Sequence, residues 1–271
     1  MNTPTHATGL EQLVLQERRG SIVYLTLNRP SQFNALSEEM LAALQAALDA
    51  IAVDASVRAV VLAGAGKAFC AGHDLKQMKA NPSLEYYQRL FDECSRLMLR
   101  IQALPQPVIA RVHGIATAAG CQLVAMCDLA VAADDARFAV SGINVGLFCA
   151  TPSVALGRNV GRKAAFEMLV TGEFIDAPTA VQRGLINRCV APDRLDAEIE
   201  RLAAAIVAKP PSAIAEGKAL FYRQLELGVA AAYRLAGQSM AENMIDEVAQ
   251  EGVAAFIDKR APDWGQDGGK S

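Results

Sequence analysis

Two segments of the chain place small residues directly after a short apolar run, where a helix is expected to begin. One is AFCAGHDLKQM (68–78), which follows RAVVLAG (58–64), and the other is HGIATAAGCQL (113–123), which follows PVIARV (107–112). Backbone N–H groups at such a junction have no partner inside the helix and lie at the positive end of its dipole. Two of them directed at one oxygen would form an oxyanion hole. The structural alternative is that small residues let a helix pack tightly on a sheet.

Other motifs that would indicate a specific chemistry are incomplete. GAGKAF (64–69) is close to a phosphate-binding loop, but Val61 stands where G-x-x-x-x-G-K requires its first glycine. Phe69 likewise stands at the third glycine of G-x-G-x-x-G, and no G-x-S-x-G nucleophile motif is present. The three histidines, which are far apart in the sequence, are His6, His73 and His113. We therefore predict no metal site.

Composition favours a globular chain of 271 residues, with 52% hydrophobic and 20% charged residues. The net charge is −3 and no basic block occurs, so we predict no nucleic-acid partner. The most apolar window, 112–127, is too short to span a bilayer and contains Gln122, so we predict no membrane association.

Six cysteines without a C-x-x-C pair are typical of reduced thiols, and the polar start of the chain has neither an apolar nor an arginine-rich stretch. These features predict a cytoplasmic location.

The elements around the two segments alternate between strand and helix. A hairpin is predicted over 13–27, with Gly20 at the turn, and a helix over 37–51, with Ser37 as N-cap. The continuous apolar run 58–64 indicates a strand buried on both faces. The further predicted elements are a helix over 84–104, a strand over 107–112 and an extended stretch over 128–140. This alternation predicts an α/β fold.

From residue 162 the pattern becomes mostly helical, with one short strand predicted at LINRCV (185–190). After Pro210 and Pro211 the sequence looks helical almost to Arg260. We therefore predict an α/β core over 1–195 and a helical C-terminal region over 196–271. No low-complexity linker separates them, so the helical region is expected to pack on the core or on another subunit.

Four stretches together resemble signature segments of the crotonase, or enoyl-CoA hydratase/isomerase, superfamily. They are LTLNRPSQFNAL (25–36), AVVLAGAGKAFCAGHDL (59–75), VHGIATAAGCQLVAMCDLAVAADDARFAV (112–140) and EGVAAFIDKRAP (251–262). The resemblance runs in order over nearly the whole chain. It implies a crotonase-like spiral of ββα and βαβ turns, with a C-terminal helical region that forms a homotrimer or a hexamer. It also implies an acyl-CoA thioester as ligand, with coenzyme A as part of the substrate and no separate cofactor.

By this resemblance, the thioester oxygen would be held by the backbone N–H groups of His73 and Ala119. The residues that would contact substrate or coenzyme A are Arg29, Ala35, Ala71, His73, Asp74, Leu75, Lys76, Ala119 and Gly120. Arg29 and Lys76 have an alternative interpretation as solvated surface charges. An enolate thioester gathers negative charge on its oxygen, so each oriented donor supplies about 3–4 kcal/mol to the transition state.

The sequence departs from the family at the two positions where hydratases carry glutamate. Gln122 replaces the first, in GCQL, and Gly142 replaces the second, after FAVS. An amide does not titrate near neutral pH and glycine has no side chain, so neither residue can transfer a proton. Positions where some relatives use aspartate hold Cys149 and Ala150. Of these, Cys149 is a candidate reactive thiol whose alternative is an inert buried residue.

These departures lead to a restricted functional prediction. We expect an acyl-CoA-binding enzyme of fatty-acid or acyl-CoA metabolism, acting as a lyase, isomerase or hydrolase, with weak or absent ordinary hydration. The alternative is a non-catalytic member that binds acyl-CoA or serves as a scaffold. The segment GLFCATPSVALGR (146–158) is similar to relatives named only as enoyl-CoA hydratase domain-containing, a name that does not define a reaction.

Overall fold

The computed structural model describes residues 12–264, and it begins with the predicted hairpin. The strands are β1 (Val14–Arg19), β2 (Ile22–Leu27), β3 (Ala59–Gly64), β4 (Val108–Val112), β5 (Ile115–Thr117), β6 (Leu129–Ala133), β7 (Arg137–Ala139), β8 (Ile175–Asp176) and β9 (Arg188–Val190). The helices are α1 (Glu38–Ala52), α2 (Leu75–Ala80), α3 (Leu84–Ala103), α4 (Ala119–Met126), α5 (Ala150–Asn159), α6 (Arg162–Thr171), α7 (Ala177–Gln182), α8 (Leu195–Val207), α9 (Pro211–Leu225), α10 (Val229–Asn243) and α11 (Glu247–Ile257). None of these helices is long and apolar enough to cross a membrane.

The strands form two sheets in the described part of the chain. The larger has the order β1-β2-β3-β4-β6-β9, in which only the β1–β2 pair is antiparallel. The smaller has the order β5-β7-β8. The stretch 128–140, predicted as one extended segment, is therefore two strands in different sheets. A turn divides the two strands, in which the Ala136 N–H donates to the Ala133 carbonyl at 3.0 Å. The prediction did not separate them because the sequence is apolar on both sides of this turn.

Helix α1 shows how the local sequence determines an element. Its buried residues are those predicted from the 3.6-residue period: Met40, Leu41, Leu44, Leu48 and Ile51. Ser37 caps the helix, since its hydroxyl accepts a hydrogen bond from the Met40 N–H at 3.3 Å. The buried face packs on α3, and together these helices cover one side of the large sheet.

Strand β3 is buried on both faces, as its continuous apolar run predicted. Val60 and Leu62 belong to the main core, whereas Val61 points to a second, smaller core on the other side of the sheet. That second core is closed by α8, which contributes Leu195, Ile199 and Ala203. Helix α8 thus packs on the sheet although it lies beyond the boundary predicted at residue 195. The boundary itself stays a prediction.

The predicted C-terminal helical region is present as α9 to α11, and it is anchored to the core by a buried ion pair. The Lys218 ammonium on α9 lies 2.6 Å from the Asp128 carboxylate and also donates to the Ile101 carbonyl at 2.9 Å. Tyr222 donates to the other oxygen of Asp128 at 2.7 Å. Asp128 lies two residues past the end of α4, so this cluster ties α9 to the C-terminal end of that helix.

Candidate active site

The two small-residue segments meet in space, as their shared pattern suggested. The Cys70 N–H donates to the Ile115 carbonyl at 3.1 Å, and the Thr117 N–H donates to the Cys70 carbonyl at 3.0 Å. Gly120 lies so close that an added methyl group would collide with the Cys70 carbonyl. The small residues therefore allow two strand-to-helix junctions to cross at backbone distance.

The crossing brings the backbone just before His73 close to Ala119. Gly72, the residue before His73, is close to Ala119: a methyl group built on Gly72 would lie 3.1 Å from the Ala119 nitrogen. Neither the His73 nor the Ala119 N–H donates a hydrogen bond within residues 12–264. Ala119 is the first residue of α4, where the helix dipole is positive. Ala118 before it has φ 51° and ψ −122°, a strained conformation for a residue with a Cβ.

Both donors line a cavity of about 230 Å³ whose walls are mostly apolar. Its lining residues are Ala71, His73, Leu75, Met78, Phe91, Ala118, Ala119, Ser141, Gly142, Val145, Leu147, Phe148, Cys149, Ala150, Thr151 and Pro152. Four helices contribute to it, together with the segment 141–149, which forms one wall. Enclosure by apolar side chains keeps water away and strengthens hydrogen bonds to a developing charge.

Gln122, which the resemblance predicts at the first glutamate position, is buried in α4 with only 4% of its surface exposed. Its Oε1 atom has no hydrogen-bond partner among the described residues. The side chain is not among those that line the cavity. An unpartnered amide oxygen inside a helix-packed core is costly, so Gln122 is held there by its surroundings rather than by a hydrogen bond of its own.

Gly142, which the resemblance predicts at the second glutamate position, does line the cavity, but other atoms occupy the space that a side chain there would need. A Cβ at this residue would lie 2.6 Å from the Leu147 carbonyl oxygen and 2.7 Å from the Cys149 sulfur. Burial raises the pKa of the Cys149 thiol, so it is protonated near neutral pH. A neutral sulfur thus occupies the space beside Gly142, the residue that the resemblance predicts at the second glutamate position.

The residues predicted to contact coenzyme A form a cluster at the start of α2. The Arg29 guanidinium lies 3.1 Å from the Asp74 carboxylate and donates to the Ala35 carbonyl at 3.1 Å. Burial would raise the pKa of Asp74, but the Gln77 N–H, the Arg29 side chain and the Lys76 N–H together lower it. Leu75 and Lys76 are exposed beside this cluster. Arg29 is thus engaged by a carboxylate, whereas Lys76 is the cation of this group that faces solvent.

Comparison with known proteins agrees with this architecture. Residues 17–267 match the family described as Enoyl-CoA hydratase/isomerase. This chain belongs to the enoyl-CoA hydratase/isomerase family. Enoyl-CoA hydratase domain-containing protein 3, mitochondrial, from Xenopus laevis is 45% identical over 97% of this chain and 90% of its own length.

Solved structures of the enoyl-CoA hydratase/isomerase family confirm the predicted fold. The crystal structure of an enoyl-CoA hydratase from Mycobacterium smegmatis is 68% identical, covers 94% of this chain and 99% of its own, and has a TM-score of 0.93. The crystal structure of human enoyl-CoA hydratase domain-containing protein 3 is 42% identical, covers 93% and 100%, and has a TM-score of 0.90. The α/β crotonase fold and its C-terminal helices are therefore as predicted.

The predicted cytoplasmic location is contradicted by the names of these family members. The vertebrate relatives, which are 42–45% identical, are named mitochondrial. The prediction rested on the composition of the first residues of the chain. Their composition does not identify a compartment, and residues 1–11, including His6, lie outside the described structure.

His73 differs from the other cavity residues of this family member because its side chain is a buried, titratable ring. Burial lowers the pKa of His73 to about 4, so the imidazole is neutral near neutral pH. Phe91 on α3 meets the ring edge-on, with centroids 5.5 Å apart. His73 therefore contributes a backbone N–H and a neutral ring to the same cavity.

Acid is expected to destabilise this enoyl-CoA hydratase/isomerase family member partly through His73. Between the ordinary histidine pKa of 6.5 and about 4, the unfolded chain binds a proton that the folded chain does not. Lowering the pH through this window therefore favours unfolding. Chemical denaturation at pH 7 and pH 5 should show a larger loss of stability for the wild type than for His73→Phe. Equal losses in the two proteins would contradict the shifted pKa.

Several cavity residues of this family member were not predicted from the sequence. Met78 and Phe91 reach the cavity from α2 and α3, which are remote from the second donor segment. Thr117 and Ser141 share a hydroxyl–hydroxyl hydrogen bond of 2.8 Å at its edge. The one available signal was a set of apolar residues close together in the sequence: Val145, Leu147 and Phe148. All three line the cavity and remain 43–66% exposed. An exposed apolar run after a turn indicates a surface that contacts something other than water.

Proposed function

We propose that this chain binds an acyl-CoA thioester and stabilises an enolate at the thioester oxygen. The observation that carries the proposal is the pair of unpaired N–H groups of His73 and Ala119 beside one apolar cavity. Such donors stabilise charge only where it develops, and each contributes about 2.7–4 kcal/mol in a closed site. Membership of a family named for enoyl-CoA hydration and isomerisation supports a thioester as the group that supplies that oxygen.

The coenzyme A portion would lie along the exposed side of α2. Asp74 and Arg29 fix the start of this helix through hydrogen bonds within the chain. Lys76 is exposed next to them and supplies a cation for a phosphate group. Ala71 and Leu75 line the cavity between this surface and the donors, which gives the pantetheine arm an apolar path.

Ordinary hydration of crotonyl-CoA is expected to be weak or absent. General acid–base catalysis is worth about 10²–10⁴-fold per group, and neither Gln122 nor Gly142 supplies one. Turnover should fall at least about 100-fold below that of a family member that has both glutamates, assayed beside it by loss of ultraviolet absorbance. Rates equal to those of that control would show that another group transfers the proton.

The alternative is a member that binds acyl-CoA without turning it over. Position 142 has no room for a side chain, because the Leu147 carbonyl and the Cys149 sulfur fill the space. This argues for the non-catalytic function over any reaction that needs two carboxylates. Calorimetry with acetyl-CoA and butyryl-CoA, followed by mass spectrometry of a wider thioester panel, separates the two functions. Binding with no chemical change on any thioester supports the non-catalytic role, and any product that depends on the protein supports the enzyme.

We also propose that the protein assembles as a trimer or as a hexamer made of two trimers. Large apolar side chains stay exposed in the C-terminal region, among them Phe221, Tyr233, Met240, Ile245 and Phe256. An apolar surface of this extent is unusual for a monomer and common at subunit interfaces. Sedimentation should give three or six times the 28.8 kDa of one chain, and a monomer would contradict this assembly.

A further inference from the structure

The His73 side chain, which borders the cavity, is a polar group without hydrogen bonds of normal geometry to the rest of the described chain. Both of its ring nitrogens are buried, and neither makes a hydrogen bond of normal geometry among residues 12–264, although the Leu36 backbone is close enough to oppose part of the burial effect on the ring pKa. A neutral imidazole carries one donor and one acceptor, and each costs about 1–3 kcal/mol when buried without a partner. Phe91 contacts the ring by its edge, which restricts the ring position without satisfying either nitrogen.

The cavity is the space from which a partner can reach this ring. His73 borders it, and no hydrogen bond of normal geometry within the described chain fixes the ring nitrogens. The remaining polar side chains around the cavity are neutral: Ser141 is paired with Thr117, and Cys149 and Thr151 carry a thiol and a hydroxyl. No lysine, arginine, aspartate or glutamate is among the described residues that line it. A charged group would lose its hydration here without gaining an opposite charge.

We propose that His73 determines acyl-group specificity: its ring recognises a neutral hydroxyl or carbonyl oxygen on the acyl chain while its backbone N–H binds the thioester oxygen. This role rests on the proposed function, since it requires the acyl group to occupy the cavity. One residue then fixes two points of the ligand, so a plain hydrocarbon chain leaves the ring unpaired and binds less tightly. The low pKa of the ring supports a neutral partner, because a neutral imidazole offers a carboxylate a hydrogen bond but no opposite charge to offset the loss of its hydration.

The test compares acyl-CoA ligands of equal shape by calorimetry. In one pair, 3-hydroxybutyryl-CoA is set against isovaleryl-CoA, and in the other, 4-hydroxybutyryl-CoA against valeryl-CoA, so that a methyl replaces the hydroxyl in each. The wild type should prefer the hydroxyl ligand by about three- to tenfold in at least one pair, the range that a single net hydrogen bond provides. Succinyl-CoA, which ends in a carboxylate, should bind more weakly than the preferred ligand.

Variants assign the preference to the ring. His73→Phe keeps the backbone N–H and an aromatic edge for Phe91, and it should bind the two members of each pair alike. His73→Gln restores a donor and an acceptor and should recover part of the preference. Leu99→Met changes an exposed side chain of α3 that does not line the cavity, so this control should keep the full preference. If His73→Phe does not fold, the wild type and His73→Gln still test the role of the ring: the wild type should show the hydroxyl preference in full and His73→Gln only in part.

The outcomes separate the two proposals. If the wild type binds both members of both pairs equally, the role of the ring is wrong and acyl-CoA binding stands. If succinyl-CoA binds most tightly, the cavity recognises charge and the role of a neutral ring is also wrong. If no acyl-CoA binds, the proposed function fails and the role of His73 fails with it.

Discussion

Replacing Gly72 with alanine is expected to separate the two backbone donors and to abolish their joint action on a thioester. The new methyl would lie 2.8 Å from the Ala118 Cβ and 3.1 Å from the Ala119 nitrogen, and Gly72 has φ +90°, which a residue with a Cβ rarely adopts. The segment must shift, and the His73 N–H shifts with it. Loss of one such donor lowers turnover by about 10²–10³-fold.

The effect of Gly72→Ala can be measured even before a reaction is known. Two aligned N–H donors polarise the thioester carbonyl of a bound acyl-CoA and move its stretching band to lower frequency in Raman difference spectra. The shift should be present in the wild type and lost in Gly72→Ala. Gly20→Ala is the matched control, because Gly20 also has positive φ, at +61°, but nothing lies within 4 Å of its added methyl. A polarised carbonyl in Gly72→Ala would exclude this pair of donors.

Replacing Lys218 with methionine is expected to be the most destabilising change in the C-terminal region. The side chains of Lys218 and Asp128 are only 7% and 12% exposed. The ammonium donates to the Asp128 carboxylate and to two backbone carbonyls, those of Ile101 and Gln106. Without it the carboxylate keeps Tyr222 and the Val108 N–H but loses its opposite charge. Breaking a buried pair in this way costs about 3–5 kcal/mol of unfolding free energy.

Urea denaturation of Lys218→Met and of Arg158→Met tests whether the predicted loss of unfolding free energy comes from breaking a buried ion pair rather than any ion pair. Arg158 pairs with Glu226 at 3.3 Å, but the two side chains are 59% and 62% exposed. Water and salt screen such a pair, so its loss should change the unfolding free energy by less than about 1 kcal/mol. Similar losses for the two variants would mean that Lys218 contributes no more than a surface charge.

The parts of the fold that depend on neighbours in the sequence were predictable. The buried face of α1, the Ser37 cap and the doubly buried strand β3 follow from side-chain period and local hydrogen bonding. The pair of donor segments was also visible, because small residues after an apolar run have a local physical meaning. The two strands within 128–140 were not separated, since an apolar run does not specify which sheet it joins.

The parts that depend on distant residues could not be predicted. Nothing around Gly142 shows that the Cys149 sulfur fills the missing side-chain position, because the 141–149 segment must first fold back on itself. The pairing of Arg29 with Asp74 joins residues 45 positions apart, and that of Lys218 with Asp128 joins residues 90 positions apart. Sequence patterns show that a charge is present, whereas only the tertiary structure shows which charge faces it.

The position of α8 has a consequence for how the chain is made. The outer face of the large sheet, with Val61, Ile109 and Val131, is covered by Ile199 and Ala203 of a helix that is synthesised much later. A ribosome releases the N-terminal residues first, so this apolar face stays open to solvent until α8 has emerged. A chain released before that point exposes one apolar face of the sheet to solvent, and exposed apolar surface of this kind favours aggregation.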